Sequence, residues 1–263
     1  MDQQNTDQLP EGSHARRNEC VTLGDGSKVF RKFSSRDRIA REVANLTHLR
    51  SSSPLVGIPK LLEHTATSLT TSWFDGKNLA QMMEMAHGNT NQRLSLCSLH
   101  ADVLGATTAI TSTERETKTW FDQIFTIAEE TCYTHKERRI NDPCHAADGL
   151  TYGAIWKRMT RDISGIIPEI RYVHGDWSLQ KVLVSAHAPS LLGMCVDWEV
   201  AGWQDWRMCV ASGLWSIRYT TRDEPLQQQD YTNAFLTSSE LRSKEDEVWF
   251  FEALNLFAYD VVV

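Results

Sequence analysis

The sequence predicts an α+β protein of two lobes, a small antiparallel sheet carrying one helix and then a larger, mainly helical body. Three observations carry that expectation. Short apolar runs separated by a Gly-rich turn, "ECVTL", "GDGS" and "KVFRKF", fill the early part of the chain. Long segments with apolar residues at three- and four-residue intervals fill most of the remainder. The helical pattern is broken once, by the short strand-like runs inside "RYVHGDWSLQKVLVS" and "GMCVDWEVAGWQDW". The first lobe is expected over residues 1–74 and the second over 75–263.

Taken in order, "ECVTL" and "KVFRKF" read as the strands of a β-hairpin. In "SSRDRIAREVANLTHLRSS" the residues Ile39, Val43, Leu46 and Leu49 recur at helical spacing behind a Ser/Asp-rich start, which predicts a helix. "GIPKLLEHTATSLTTSWFDG" then supplies two more strands. The segments "NLAQMMEMAH", "NQRLSLCSLHADVLGATTAI", "TWFDQIFTIAEETC" and "TYGAIWKRMTRDISGII" are predicted helices, separated by Gly-, Asn- and Pro-containing breaks. After the strand-like interruption, "RMCVASGLWSIRY" and "DEVWFFEALNLFAYDVVV" resume the helical period.

Composition bounds the function. A chain of 263 residues with 41% hydrophobic content and 9 Trp can bury a substantial core. Its net charge of -7 argues against a nucleic-acid partner, which normally calls for a basic face, and favours a neutral or cationic small substrate. The N-terminal residues lack the apolar core of a signal peptide and no run has the length of a membrane span, so a cytosolic protein without a membrane partner is expected. The six cysteines are scattered in apolar surroundings, as suits reduced core thiols. Cys132, His135, Cys144 and His145 can be drawn as a zinc site, but the segment is charged and loop-like and reads better as a solvated helix end.

Two acidic residues carry the chemistry. Asp176 lies between an apolar strand and a polar loop, and Asp197 follows one hairpin later, a pairing suited to a hydroxyl and a metal ion. Each alone has a plainer reading, Asp176 as a turn cap and Asp197 as a strand end. The pairing raises both above it.

The order "KVFRKF", "REVANL", "TTSWFDGKNL", "VHGDWSLQKVLV" and "VDWEVAGWQDW" resembles the aminoglycoside phosphotransferase family, small-molecule relatives of the protein kinases, from about Gly12 to Trp215. The resemblance implies a bilobal protein-kinase-like fold and transfer of the γ-phosphoryl group of ATP, or GTP, to a hydroxyl of a small molecule. It implies that Asp176 accepts or orients the proton of the attacking hydroxyl, that His174 holds the loop, and that Asp197 holds Mg²⁺ against the nucleotide phosphates. It implies that Lys32 reaches the phosphates and that Glu42 pairs with Lys32. Periodicity alone does not decide between Lys32 and Arg31, and Glu42 also stands four positions from Arg38 as a surface helix pair. The backbone of Ser72, Trp73 and Phe74 would meet the adenine, and Gly12 and Ser13 would offer amides to phosphate.

The chain departs from the family pattern at two places. Where the family has Asn, Lys181 stands; an Asn carbonyl can ligate Mg²⁺, whereas an ammonium has donors only. A unit charge about 4 Å from a divalent ion, at an effective dielectric near 20, is repelled by roughly 8 kcal/mol, which argues against a second metal there. Lys181 then either neutralises phosphate charge itself or salt-bridges Asp176 and silences the base. The second outcome would leave a pseudokinase acting as a nucleotide-binding or protein-interaction module. In "QDWRMCV", Trp206 and Cys209 replace a Pro and a further Asp. The substrate is open among aminoglycosides, choline-like amino alcohols, sugars, amino acids and macrolides. The acidic stretches "DEPLQQQD" and "SKEDE" suit either a cationic substrate or solvated helix faces.

Overall fold

The computed structural model describes residues 17–52, 57–108, 114–138, 148–185, 193–239 and 245–260. Its elements begin with β1 (Arg17–Thr22), β2 (Lys28–Phe33), α1 (Arg36–Ser52), β3 (Leu61–His64), β4 (Ser68–Ser72) and β5 (Gly76–Asn78). Helices α2 (Leu79–Met85), α3 (Thr90–Thr107), α4 (Glu114–His135) and α5 (Tyr152–Asp162) follow. The strands β6 (Ile170–Val173), β7 (Val182–Ser185), β8 (Met194–Cys195) and β9 (Gly202–Asp205) precede α6 (Trp206–Thr220), α7 (Gln228–Ser238) and α8 (Glu245–Asp260). Single 3₁₀ turns cover Ile163–Gly165, Leu179–Lys181 and Trp198–Val200. The chain packs as two units, one built from the chain up to Asn78 with Lys181–Ala201, the other from Leu79–Gln180 with the chain from Gly202 onward.

The first unit holds an antiparallel sheet in the order β1-β2-β4-β3. Strand β2 is interior to that sheet, pairing Lys32 with Asn18 on one side and Leu69 on the other. Along β2 the buried residues are Val29 and Lys32, an odd separation that puts them on opposite faces. That is why a period-two reading did not choose between Arg31 and Lys32. On α1 the buried stripe is Ile39, Glu42, Leu46 and Leu49, spaced by three, four and three residues, so a carboxylate occupies a position where helical amphipathicity would place an apolar side chain. The unit's second sheet, β5-β7-β8, pairs Lys77 with Val184 and Val182 with Cys195. Gly57, at φ +98°, brings its backbone against Gly193 and accepts a hydrogen bond from the Cys195 N–H at 2.7 Å. Only a residue without Cβ fits there.

In the second unit α3 packs on α7, and α6 and α4 pack on α8. Asn89 caps α3 by accepting the Gln92 N–H at 3.2 Å, and Thr151 caps α5 by accepting the Ala154 N–H at 3.2 Å. Tyr152, Ile155, Met159, Met208, Phe250, Phe251 and Phe257 form one apolar cluster. Strands β6 and β9 pair antiparallel, Ile170 opposite Asp205 and Val173 opposite Gly202. Neither β5 nor β9 was expected, because three- and four-residue strands rich in Gly and polar residues carry no alternation to detect.

The segment around Cys132 is the end of a helix, as expected, with Tyr133, Thr134 and Lys136 exposed. Cys132 and His135 belong to α4, with Cys132 buried; Cys144 and His145 lie outside the described residues. Glu224 in "DEPLQQQD" differs from a solvated acid: it meets the buried Arg93 at 2.8 Å, the Tyr231 hydroxyl at 2.6 Å and the Gly88 N–H at 3.1 Å. Among the described residues, no helix is long and apolar enough to cross a membrane.

Candidate active site

The first unit gathers three cations and three carboxylates on β2, on α1, just before β7 and just after β8. The Lys32 ammonium, at the end of a side chain reaching from the sheet, lies 2.9 Å from Glu42 Oε2, 2.5 Å from Asp197 Oδ1 and 3.2 Å from Glu199 Oε2. Arg38 lies 3.2 Å from Glu199 Oε1, and Lys181 donates to Asp197 Oδ2. Glu42 therefore faces Lys32 from within the core, and Arg38, its alternative partner four positions earlier, goes instead to Glu199.

Local backbone explains how these groups meet. Asp197 adopts φ 70°, ψ 60°, the only left-handed non-glycine among the described residues. Aspartate tolerates that region better than most side chains, yet it costs about 1–2 kcal/mol. The turn that follows is held by α1: Glu42 Oε1 accepts the Trp198 N–H at 3.2 Å, and Asn45 Nδ2 donates to the Trp198 and Ala201 carbonyls at 2.7 and 3.2 Å. Trp198, fully buried, donates its indole N–H to the Cys195 carbonyl at 2.8 Å. The Val196 N–H donates to the Lys181 carbonyl at 2.9 Å, which fixes the root of the Lys181 side chain beside Asp197. Glu199 and Asn45 were not singled out from the sequence. A signal existed for each, since Glu199 is the acid of "DWE" and Asn45 sits three residues after Glu42 on the same helix.

Electrostatics follows burial and pairing. Burial opposes the charge on Lys32, but Glu42, Asp197 and Glu199 overcome it and hold the ammonium above the ordinary lysine range. Burial pushes Glu42 up, against the pull of Lys32. Burial also works to raise Asp197, and the two ammonium groups outweigh it, holding its carboxyl well below the ordinary aspartate range. Glu42, Asp197 and Glu199 each offer a carboxylate oxygen within 4.8 Å of the others. Hard oxygen donors of that kind suit Mg²⁺, so the set fits one such ion, with the ammonium groups as competitors for the same oxygens.

In the second unit, Asp176 closes a tight turn after β6. Gly175 has φ +82°, and the Asp176 N–H donates to His174 Nδ1 at 3.3 Å. His174 and Trp177 are fully buried with their rings 5.8 Å apart, edge to face. The Leu179 N–H donates to Ser216 Oγ at 3.1 Å, tying the loop to α6. Cys209, on α6, lies within hydrogen-bonding reach of the backbone of Gly175 and His174, and burial pushes its thiol up to about 12. Cys209 thus contacts the loop from the position where the family pattern has an acid. Asp205, fully buried, accepts the Glu169 N–H at 2.9 Å and Arg207 at 2.6 and 2.8 Å; Trp206 donates to Glu169 at 3.0 Å.

The other expected residues are placed as follows. Ser72 ends β4, with its N–H donating to the Lys60 carbonyl at 2.8 Å and its Oγ accepting the Lys60 N–H at 2.8 Å. Trp73 and Phe74 follow it, half-buried, with Lys28 6.0 Å from the Trp73 ring centre. Gly12 and Ser13 lie outside the described residues.

Compared with known proteins, residues 6–244 match the model of the phosphotransferase enzyme family. The sequence matches none of the curated proteins at a significant level. Among solved structures it is similar to macrolide 2'-phosphotransferase type I, at 12% identity, over 98% of this chain and 84% of that one, TM-score 0.64. It is similar to an aminoglycoside phosphotransferase from Streptomyces rimosus in complex with ADP and streptomycin, at 15% identity, over 95% of this chain and 92% of that one, TM-score 0.58. It is also similar to an ethanolamine kinase from Plasmodium vivax, at 11% identity, over 98% of this chain and 74% of that one, TM-score 0.60. At such identities the likeness is one of fold, and the fold is kinase-like.

Proposed function

The chain belongs to the phosphotransferase enzyme family, and on that premise we propose that it moves the γ-phosphoryl group of ATP, or GTP, to a hydroxyl of a small molecule. The observation that carries the reading is the buried Lys32 ammonium held by Glu42 and Asp197. A buried ammonium fixed by carboxylates supports a role in meeting polyphosphate.

In this reading Lys32 contacts the nucleotide phosphates and Glu42 orients Lys32. Asp176 accepts the proton of the acceptor hydroxyl, its loop held through His174 and Cys209. Gly12 and Ser13 cradle phosphate, and the adenine meets the backbone at Trp73 and Phe74, since the Ser72 N–H is used within the sheet. Asp197 is the residue that would hold Mg²⁺, which when bound draws charge from the phosphate oxygens. Catalysis is positioning and charge neutralisation, without a covalent enzyme intermediate. The ADP and streptomycin of the Streptomyces rimosus structure and the names of the macrolide and ethanolamine enzymes support a nucleotide donor and a small hydroxyl acceptor. The reading takes the protein as cytosolic, with a nucleotide-binding lobe in residues 1–74 and the catalytic and substrate lobe, including Asp176, Lys181 and Asp197, in 75–263.

The test is thermal unfolding with and without ATP, followed by ADP release over a panel of hydroxyl acceptors. ATP at a hundred times its Kd should add about 2.7 kcal/mol of stability, lost in Lys32→Ala. Asp176→Asn should keep that ATP response and lose turnover. An unmoved melting temperature under every condition would sink the reading.

One observation favours a second reading, a pseudokinase. Both oxygens of Asp197 accept from lysines, so a metal ligand is engaged by the protein itself. If turnover has been lost this way, Lys181→Asn raises ADP release; if Lys181 is part of the mechanism, the same change leaves it or lowers it.

A further inference from the structure

We propose that the Lys181 ammonium takes the place of a divalent cation, so that this chain binds a nucleoside triphosphate without needing a metal ion. The inference rests on the nucleotide reading above and specifies how that site meets the phosphate charge. It starts from Asp197, whose Oδ1 accepts from Lys32 at 2.5 Å while Oδ2 accepts from Lys181. A carboxylate held on each oxygen by a separate ammonium has its charge already compensated.

The surrounding charges close the argument. Ion pairs join Lys32, Arg38 and Lys181 to Glu42, Asp197 and Glu199, three positive groups and three negative ones, which cancel. With a neutral side chain at 181 the same set would carry one net negative charge beside a polyanion. A divalent ion would then be needed to reverse the sign. The lysine at 181 removes that need, and it also raises the cost of the ion, because a metal approaching Asp197 meets two ammonium groups.

Lys181 is built into this position and is not a mobile surface side chain that happens to reach it. It ends the turn Leu179–Lys181 and leads directly into β7, whose Val182 pairs with Cys195 on β8. Its carbonyl accepts the Val196 N–H at 2.9 Å, and its side chain is 19% exposed. The backbone thus holds both members of the Lys181 and Asp197 pair from the same ladder.

The experiment is calorimetric titration of the full chain with ATP, once in excess EDTA and once in excess Mg²⁺, repeated on Lys181→Asn and Lys181→Arg. For the natural sequence the two dissociation constants should agree within about threefold, whereas metal-free binding by Lys181→Asn should weaken by about tenfold or more and recover with Mg²⁺. Lys181→Arg, which keeps the positive charge, should retain metal-free binding. Strict dependence on Mg²⁺ in the natural sequence overturns the inference and leaves the nucleotide reading standing; this comparison needs no variant to fold. Equal metal-free affinity in Lys181→Asn overturns it too, because some other group would then be supplying the charge. Absence of binding with and without Mg²⁺ overturns the nucleotide reading and this inference with it.

Discussion

Lowering the pH from 7 to 5 should destabilise this protein through His100, a residue of α3 with no solvent exposure. Its ring stacks on Trp177 with centroids 5.2 Å apart and an interplanar angle of 8°, and it meets Phe235 at 5.1 Å. Burial pushes the imidazole down to about 3 from an ordinary 6.5. The folded state therefore stays neutral at His100 while the unfolded chain takes up a proton as the pH falls below 6.5. Protons bound by the unfolded state alone favour unfolding, so stability is intact above the unfolded value and lost progressively below it, down to about 3. At pH 5 the imbalance covers about 1.5 pH units, worth about 2 kcal/mol. Urea unfolding followed by tryptophan fluorescence at pH 7, 6 and 5 measures it, with His100→Leu as the comparison. The variant loses stability overall because the aromatic stack goes, but its pH dependence should be shallower by that same amount. Equal slopes in the two proteins would refute the argument and show that other groups govern the acid response.

Three further substitutions probe the framework. Asp205→Ala leaves the buried Arg207 without the carboxylate that accepts two of its N–H groups, and should cost about 3–5 kcal/mol in urea unfolding, with Glu247 at 2.7 Å retaining part of the ion pairing. Lys32→Met should abolish the ATP response and destabilise the fold by several kcal/mol, because Glu42 and Glu199 lose their shared cation; adding Glu42→Gln should recover part of the stability and none of the binding, a non-additivity that a double-mutant cycle detects. Gly57→Ala puts a methyl group 2.4 Å from the Gly193 carbonyl oxygen at φ +98°, and a loss of about 1–3 kcal/mol in thermal or urea unfolding is expected; an unchanged midpoint would mean the two backbones separate freely.

Much of the framework could be read from side-chain periodicity. The four strands of the first sheet and seven of the eight helices among the described residues stand where the apolar spacing put them, because each buries one face and the spacing records which one. Strands β5 and β9 escaped that reading, since their pairing is a property of the partner strands β7 and β6 and leaves almost no trace in three or four residues. The same limit applies at the site. A buried Glu42 interrupts an otherwise apolar stripe on α1, which marks it as unusual, but its partner lies on β2 and cannot be inferred from the helix.

The sequence by itself determined the fold class, the family and the residue types available for the chemistry: Lys32, Glu42, Asp176, Asp197 and the lysine at 181. Tertiary structure decided which charges meet. Arg38 could have paired with Glu42 four positions away and pairs with Glu199 instead, while Lys32, 165 positions before Asp197, reaches its carboxylate. Lys181 had two expected destinations, phosphate or Asp176, and its ammonium lies on Asp197. The reason is physical: hydrophobic periodicity is written along the chain, whereas an ion pair depends on the distance between side chains brought together by strand register and by a single left-handed residue, and neither is encoded in the spacing of the charges themselves.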